Sequence, residues 1–358
     1  MTDTNPGTGG ATDSPSTMRR VVVREQAVDV VDAPVPAPAA GEAQVRSLVV
    51  GVCGSDTHAA HGRHPFIALP YHPGHEVVGE VTAVGPEVTA VSAGDRVVVE
   101  PDLPCWQCKM CLSHRENLCE NLRFFGCGYE QGGMAELFTI PAGRLHRVPD
   151  DLGEAAAALI EPMSTPVHAV RLAGDVRDKA VAVLGAGAIG LLVLHVLLAA
   201  GARRVVVTDV RADKRERAVA LGAHAGVDAA AADVVDRVRR ELGESADVVF
   251  DCVAIQSTLR AAIGMASKGG TVVVVGVPSS DVSVPLAIVQ DHQIRIQGSA
   301  TYLKEDYAAA MALLRSGSVD ADALVTAVDS LDRAAEAFDL SASGEHVKVV
   351  VRVAPARE

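Results

Sequence analysis

Four cysteines fall within fifteen residues: Cys105, Cys108, Cys111 and Cys119, spaced C-x2-C-x2-C-x7-C. A tight loop with that spacing can bring four thiolates to one point, about 2.3 Å from a zinc ion, in the closed tetrahedral geometry of a structural site. Such a site has no open position, so it stabilises a lobe and does not react. The other three of the seven cysteines, Cys53, Cys127 and Cys252, are scattered singly, and an odd total argues against a disulfide framework.

A second set of residues has the types of an open metal site. Gly51-Val-Cys53-Gly-Ser55-Asp56-Thr-His58 follows one apolar stretch, and His72-Pro73-Gly74-His75-Glu76 precedes another. Glu161 lies in Ile160-Glu161-Pro162-Met163. A thiolate, an imidazole and a carboxylate together can hold a metal and leave one position for water or substrate. By residue type the third protein ligand is either Glu76 or Glu161. Taken singly, Cys53 also reads as a small buried hydrophobe and His75 as a packed histidine. His61, His64 and His72 read as loop histidines, and spacing alone does not rank them.

Gly185, Gly187 and Gly190 form G-x-G-x-x-G after a short apolar run, and Asp209 ends the next such run nineteen residues after Gly190. The first glycine permits a tight turn, the second lets a pyrophosphate approach a helix N-terminus, and the third lets helix and strand pack closely. Asp209 would accept hydrogen bonds from adenosine ribose hydroxyls and repel a 2′-phosphate, which favours NAD over NADP. Arg211 works against that preference, because a nearby arginine can accept the phosphate. Lys214 is placed to reach the ribose or to serve as a solvated helix charge.

The elements that must position these residues fall into two kinds. From Arg19 to about Ile140, short strand signals are separated by Gly and Pro: Val21 to Val23, Val45 to Val52, Val77 to Val84, Arg96 to Val99 and Ala135 to Ile140. That pattern predicts a barrel-like, all-β lobe with long loops. After Glu161 apolar runs at Ala180 to Leu184, Arg204 to Asp209, Ala246 to Cys252, Thr271 to Gly276 and Ile294 to Gly298 alternate with helical patterns. Alternation predicts a doubly wound parallel sheet. A helix over Glu305 to Ser316 and a strand over Lys348 to Val353 close the chain.

The 358 residues suggest two domains, and a net charge of −13 argues against nucleic acid or an anionic membrane as partner. No apolar run approaches the roughly 20 residues of a membrane span. Met1 to Thr17 is polar, without an apolar core, and reads as a disordered tail and not a signal peptide. A cytoplasmic location is expected, where thiols stay reduced and can hold zinc.

From residue 18 onward the chain resembles the zinc-dependent medium-chain dehydrogenases of the alcohol dehydrogenase superfamily. The motifs that carry the resemblance are C-G-S-D-T-H at Cys53 to His58, P-G-H-E-V-V-G at Pro73 to Gly79, the Cys105 to Cys119 lobe, Gly185 to Gly190, and Asp209. E-P-M-S-T-P-V-H-A at Glu161 to Ala169 and E-P-D-L-P-C-W-Q-C at Glu100 to Cys108 resemble the polyol, sorbitol-type branch.

The resemblance implies a Rossmann NAD-binding domain over 166–304 and a GroES-like catalytic domain over 18–165, with 305–358 returning to it and a structural zinc lobe. It implies two zinc ions per chain. Cys53 and His75 would be ligands of the catalytic ion and Glu76 the third, with Glu161 binding directly or holding the bound water. Ser55 would begin a proton relay that His58 ends near solvent. Ile189, Asp209, Lys214, Val275-Gly276-Val277 and Ala300-Thr301-Tyr302 match cofactor-contacting positions.

The expected reaction is hydride transfer from a secondary alcohol of a small polyol to NAD. L-threonine, a vicinal diol or an aminocyclitol would be the alternative substrate, and a non-enzymatic NAD sensor the alternative of another class. Thr301 stands where sorbitol-type enzymes carry an arginine that grips the polyol, and Ala59 where they carry a tyrosine. Sorbitol is therefore not expected to be the best substrate. A homodimer or homotetramer is expected, formed through the edge of the nucleotide sheet, which the sequence suggests ends in the strand from Thr271 to Val277.

Overall fold

The computed structural model describes residues 17–62 and 64–354. The expected tail lies outside these residues except for Thr17, which already begins a strand, Thr17–Arg24.

Six parallel strands make one sheet, in the order Ala225–Asp228, Arg204–Asp209, Ala180–Leu184, Ala246–Asp251, Ala266–Val274 and Arg295–Gly298. The central strand Ala180–Leu184 is buried along its whole length. Helices cover both faces of a doubly wound sheet, which explains why its strands read as continuous apolar runs without alternation. Chain order reverses direction between Ala180–Leu184 and Ala246–Asp251, so the crevice for a ligand opens at the carboxyl ends of those two strands. The helix Ala188–Ala199 leaves that point directly after the glycine-rich turn.

The second sheet has seven strands. Its main path runs Val325–Ser330, Lys348–Arg352, Glu42–Val52, Glu76–Val84, Arg96–Val99 and Leu145–Arg147, and Leu137–Pro141 also pairs with Glu42–Val52. Lys348–Arg352 lies antiparallel to Glu42–Val52 and opposes Val349 to Val52 and Val350 to Gly51. The end of the chain thus closes beside the loop that carries Cys53. Helix Lys304–Arg315 packs against helix Ile160–Ala173, which begins with the Glu161 segment.

The structure corrects one expectation. The Thr271 region is not the edge of the parallel sheet, because Ala266–Val274 pairs with Ala246–Asp251 on one side and Arg295–Gly298 on the other. Arg295–Gly298 is the edge. Its run Arg-Ile-Gln-Gly is polar at alternate positions, so it reads weakly beside the Val-rich strand next to it. Among the described residues, no helix is long and apolar enough to cross a membrane.

Candidate functional site

Cys53 sits where strand Glu42–Val52 ends and helix Gly54–Ala60 begins. The turn is fixed by Asp56, whose Oδ2 accepts the Cys53 N–H at 3.1 Å and whose Oδ1 accepts the Tyr71 hydroxyl at 3.0 Å. Burial raises the Asp56 carboxyl above its ordinary range. Ser55 and His58 lie three residues apart on this one short helix, Ser55 partly buried and His58 exposed. Three-residue spacing puts them on neighbouring positions of one helix face, His58 the more exposed of the two.

His75 is buried between the loop and the following strand, its ring edge-on to Phe124 at 5.6 Å between centroids. Gly74 brings it there with φ of +102°, and a Cβ at that position would stand 2.4 Å from the Met134 backbone nitrogen. No side chain fits that approach. The Cys127 sulfur lies 3.4 Å from His75 Nδ1. Cys127 was read from sequence only as an isolated cysteine; spacing gave no sign that it meets the imidazole, because the contact spans 52 residues.

Cys53, His75 and Glu76 converge, each with a ligand-capable atom within 4.8 Å of the others. A thiolate, an imidazole and a carboxylate at that separation suit zinc in donor type and number. Glu76 lies over Gly51, its partner across the sheet, where a Cβ would fall 1.8 Å from Glu76 Oε2. Both Glu76 oxygens also accept from Lys348 Nζ, at 2.6 and 2.7 Å, and Lys348 reaches the Val52 carbonyl at 3.3 Å. Lys348 was not singled out from sequence. The available signal was one lysine heading a Val-Val-Val run, where a buried strand has no other use for a charge.

Glu161 does not join that triad within the same distance; it stands behind it in the first turn of helix Ile160–Ala173, accepting the Tyr302 hydroxyl. Burial pushes its carboxyl up to about 7, and the neighbouring His75 opposes the rise. Tyr302 is itself buried and packs edge-on to Tyr307 at 5.2 Å. The residues expected around the cofactor thus separate: Tyr302 holds a carboxylate, Thr301 faces the strand Asp102–Leu103, and the Ala300 carbonyl accepts the Asn117 amide at 3.0 Å.

The four lobe cysteines are free thiols whose sulfurs all lie within 4.8 Å of one another, Cys108 being 3.5 Å from Cys111 and 3.9 Å from Cys119. Backbone N–H groups point at them: Cys105 N and Asn121 N donate to Cys119 Sγ at 3.2 and 3.4 Å. The Gln107 N–H is the chief cause that draws the Cys105 thiol down to about 6, with the Cys108 N–H adding to it. A convergent, N–H-lined tetrad of this kind is suited to four thiolates around one zinc.

At the carboxyl ends of the parallel strands, Gly185 turns with φ of +95°, and a Cβ on Gly190 would stand 1.8 Å from the Gly185 carbonyl oxygen. Gly187 instead faces open space at the N-terminus of helix Ala188–Ala199, and Ile189 lies in the first turn of that helix. Asp209 Oδ2 accepts the Ala186 N–H and its Oδ1 the Arg211 N–H, both at 2.9 Å, which holds the carboxylate beside the turn. Arg211 is engaged by Asp213 at 2.9 and 3.0 Å. Lys214 lies in the first turn of the following helix, Ala212–Ala220. Val275 and Gly276 donate to the Asp251 carbonyl, and Val277 is exposed beyond them. Exposed Val253 and Ile255 border the same crevice, an apolar rim that sequence reading missed because it lies in a loop. Open space, a free helix N-terminus and a fixed acidic side chain fit a dinucleotide.

Residues 39–150 match the alcohol dehydrogenase GroES-like domain family and residues 188–316 the zinc-binding dehydrogenase family. Over 90% of its length the chain is 33% identical to sorbitol dehydrogenase of Ovis aries, of which it covers 92%. Over 84% of its length it is 31% identical to D-xylulose reductase A of Aspergillus oryzae, covering 86% of that protein. An Escherichia coli alcohol dehydrogenase structure complexed with NADH superposes with a TM-score of 0.88 at 25% identity, over 94% of this chain and 100% of that one.

Proposed function

The chain belongs to the zinc-binding alcohol dehydrogenase family, and from that premise we propose that it oxidises a secondary alcohol of a small polyol with NAD. It is an oxidoreductase acting on CH–OH groups with zinc and a nicotinamide dinucleotide. The observation that carries the polyol reading is the polar character of the reaction end of the cleft: Cys53 and His75 converge with Glu76, and Glu161 stands behind them. An ethanol-type slot would be apolar. Relatives named for sorbitol and D-xylulose support the same reading.

Cys53 and His75, with Glu76 or Glu161, would hold one zinc, and Cys105, Cys108, Cys111 and Cys119 a second. Bound at the first site, zinc supplies Lewis acidity that lowers the pKa of the substrate hydroxyl. The protein's own groups do the rest. Ser55 accepts the hydroxyl proton and His58 delivers it to solvent. Tyr302 orients Glu161. The glycine-rich turn and Asp209 would hold the dinucleotide, which supplies the hydride acceptor. The test is NADH production over four- to six-carbon polyols, cyclitols, threonine and simple alcohols, with zinc content measured on the same protein. About two zinc equivalents and turnover of polyols are expected. A long-chain primary alcohol ranking first would remove the polyol reading.

We assign Asp209 the choice of NAD over NADP. Its carboxylate, held beside the glycine-rich turn, would repel a 2′-phosphate, while Arg211 is occupied by Asp213. Asp209→Ala is expected to cut kcat/KM for NAD at least about tenfold, the worth of one charge-assisted ribose contact. The same change narrows the gap to NADP, as Arg211 no longer sits beside a like-placed carboxylate. A wild-type enzyme that already prefers NADP would show the assignment to be wrong.

We also propose a homodimer or homotetramer in the reducing cytoplasm. The edge strand Arg295–Gly298 leaves Ile296 37% exposed, and in the helix that precedes it, Leu286–Asp291, Leu286 and Ile288 are 71% and 44% exposed. Two-fold pairing of this edge would cover them. Light scattering at micromolar concentration is expected to give a multiple of the 37.1 kDa chain mass; a monomer mass would overturn the assembly.

A further inference from the structure

Cys127 stands outside the Cys53–His75–Glu76 triad yet touches it. Asp56, His75 and Cys127 form a second group whose ligand-capable atoms all lie within 4.8 Å of one another, and the residue it shares with the triad is His75. Zinc bonds of about 2.0–2.3 Å in a tetrahedral arrangement put neighbouring donors roughly 3.3–3.8 Å apart, so the Cys127 sulfur and His75 Nδ1, at 3.4 Å, are already spaced to share one cation.

The donors are held in place by the fold. Asp56 accepts the Cys53 N–H at Oδ2 and the Tyr71 hydroxyl at Oδ1, which leaves each oxygen a free lone pair. Cys127 sits between Gly126 and Gly128, whose φ values are +75° and +86°, and a Cβ on Gly126 would stand 2.8 Å from the His75 backbone nitrogen. Glycine there lets the loop close on His75. Asp56 and His75 are buried and Cys127 is half-buried, so an ion reaches the group from the Cys127 side. Burial raises both the Asp56 carboxyl and the Cys127 thiol, which draws them toward their protonated forms. A cation binds here by displacing those protons, so this group fills after the four-cysteine lobe, when zinc is in excess.

We propose that Asp56, His75 Nδ1 and Cys127 form a further, inhibitory site for a thiophilic divalent cation such as zinc, through which excess zinc slows the dehydrogenase. The proposal rests on the zinc reading above, since it assigns regulation to the same centre. A histidine that binds zinc through one ring nitrogen ordinarily donates its other N–H to a neighbouring acceptor, which orients the ring and raises its basicity. An ion on Nδ1 replaces that hydrogen bond and draws electron density from the ring, so the other nitrogen becomes a poorer donor to the triad's ion. The thiolate selects zinc or cadmium over magnesium and calcium, which take oxygen ligands.

The experiment adds zinc chloride alone to purified wild type, Cys127→Ala and Asp56→Asn. Bound zinc is counted after equilibrium dialysis, alkylation of Cys127 by iodoacetamide is followed by mass spectrometry, and NADH production from a polyol is compared with and without added zinc. At micromolar free zinc, wild type is expected to gain one equivalent over its purified content. Its Cys127 should then alkylate at least about tenfold more slowly, and its rate should fall at least about tenfold, the scale on which partners of a ligating histidine act. Cys127→Ala should gain no equivalent and keep its own rate when zinc is added. If Asp56→Asn does not fold, wild type and Cys127→Ala still decide. Equal zinc gain by wild type and Cys127→Ala, or a Cys127 that zinc does not protect, overturns the site. A Cys127 that is already protected before zinc is added, and reacts only after chelation, is a ligand of the triad's ion, which overturns a separate site. Protection with no loss of rate overturns the inhibition. Purified protein that holds only the lobe's equivalent sinks the zinc reading of the triad, and the inhibitory role falls with it.

Discussion

His75→Ala is expected to abolish turnover while NAD binding survives. The imidazole is one of the donors that converge with Cys53 and Glu76, and it is buried, so no solvent-exposed group replaces it. With two donors left, the ion is held too weakly to stay, and loss of its Lewis acidity removes most of the rate. A fall in kcat/KM of at least about 10³-fold is expected, roughly 4 kcal/mol of barrier. Cys53→Ser should behave alike. The dinucleotide turn lies in the other sheet, on Gly185, Gly187 and Asp209, so NADH fluorescence titration should give a Kd within about threefold of wild type. One zinc equivalent, that of the four-cysteine lobe, should remain. A variant that keeps a rate within a few-fold of wild type would remove His75 from the metal site.

The parts of this architecture that were legible in the sequence share a property: each is specified by residues close together in the chain. The cysteine lobe closes within one loop, and the glycine-rich turn lies between a strand and the helix after it. The parallel strands are legible because both faces are buried, which leaves apolar runs such as Val205 to Val207. What was not legible depends on contacts between distant segments. Lys348 meets Glu76 across 272 residues, and Tyr302 meets Glu161 across 141. Asp102 reads as an ordinary loop aspartate until burial strips it of partners. Val325–Ser330 was passed over for another reason: its exposure alternates and its composition is mixed, so the pattern is that of a half-exposed strand. The misplaced sheet edge has the same origin, since apolar content marks the buried neighbour better than the edge itself.

Lys348→Met should destabilise the catalytic half of the molecule by about 3–5 kcal/mol, the usual cost of removing one partner of a buried ion pair. The lysine and Glu76 side chains are 4% and 2% exposed, so the Glu76 charge left behind has no water to turn to. Its position over Gly51 makes retreat difficult, because that strand is paired on both sides. Trp106, the one tryptophan, lies in the cysteine lobe, and its fluorescence reports unfolding of this half without signal from a second indole. The urea midpoint followed at Trp106 should drop for Lys348→Met. The double variant Lys348→Met with Glu76→Gln should recover most of the loss, since replacing both members of a buried pair costs far less than breaking it. A purely steric role for the lysine stem predicts the opposite, a double variant no more stable than the single one. Equal midpoints for wild type and Lys348→Met would show that the ion pair does not hold Glu76. Zinc content of the two variants then separates the roles of the carboxylate. If Glu76 serves as a ligand, Glu76→Gln loses the catalytic equivalent even where stability is restored; if Glu161 serves instead, the double variant keeps both.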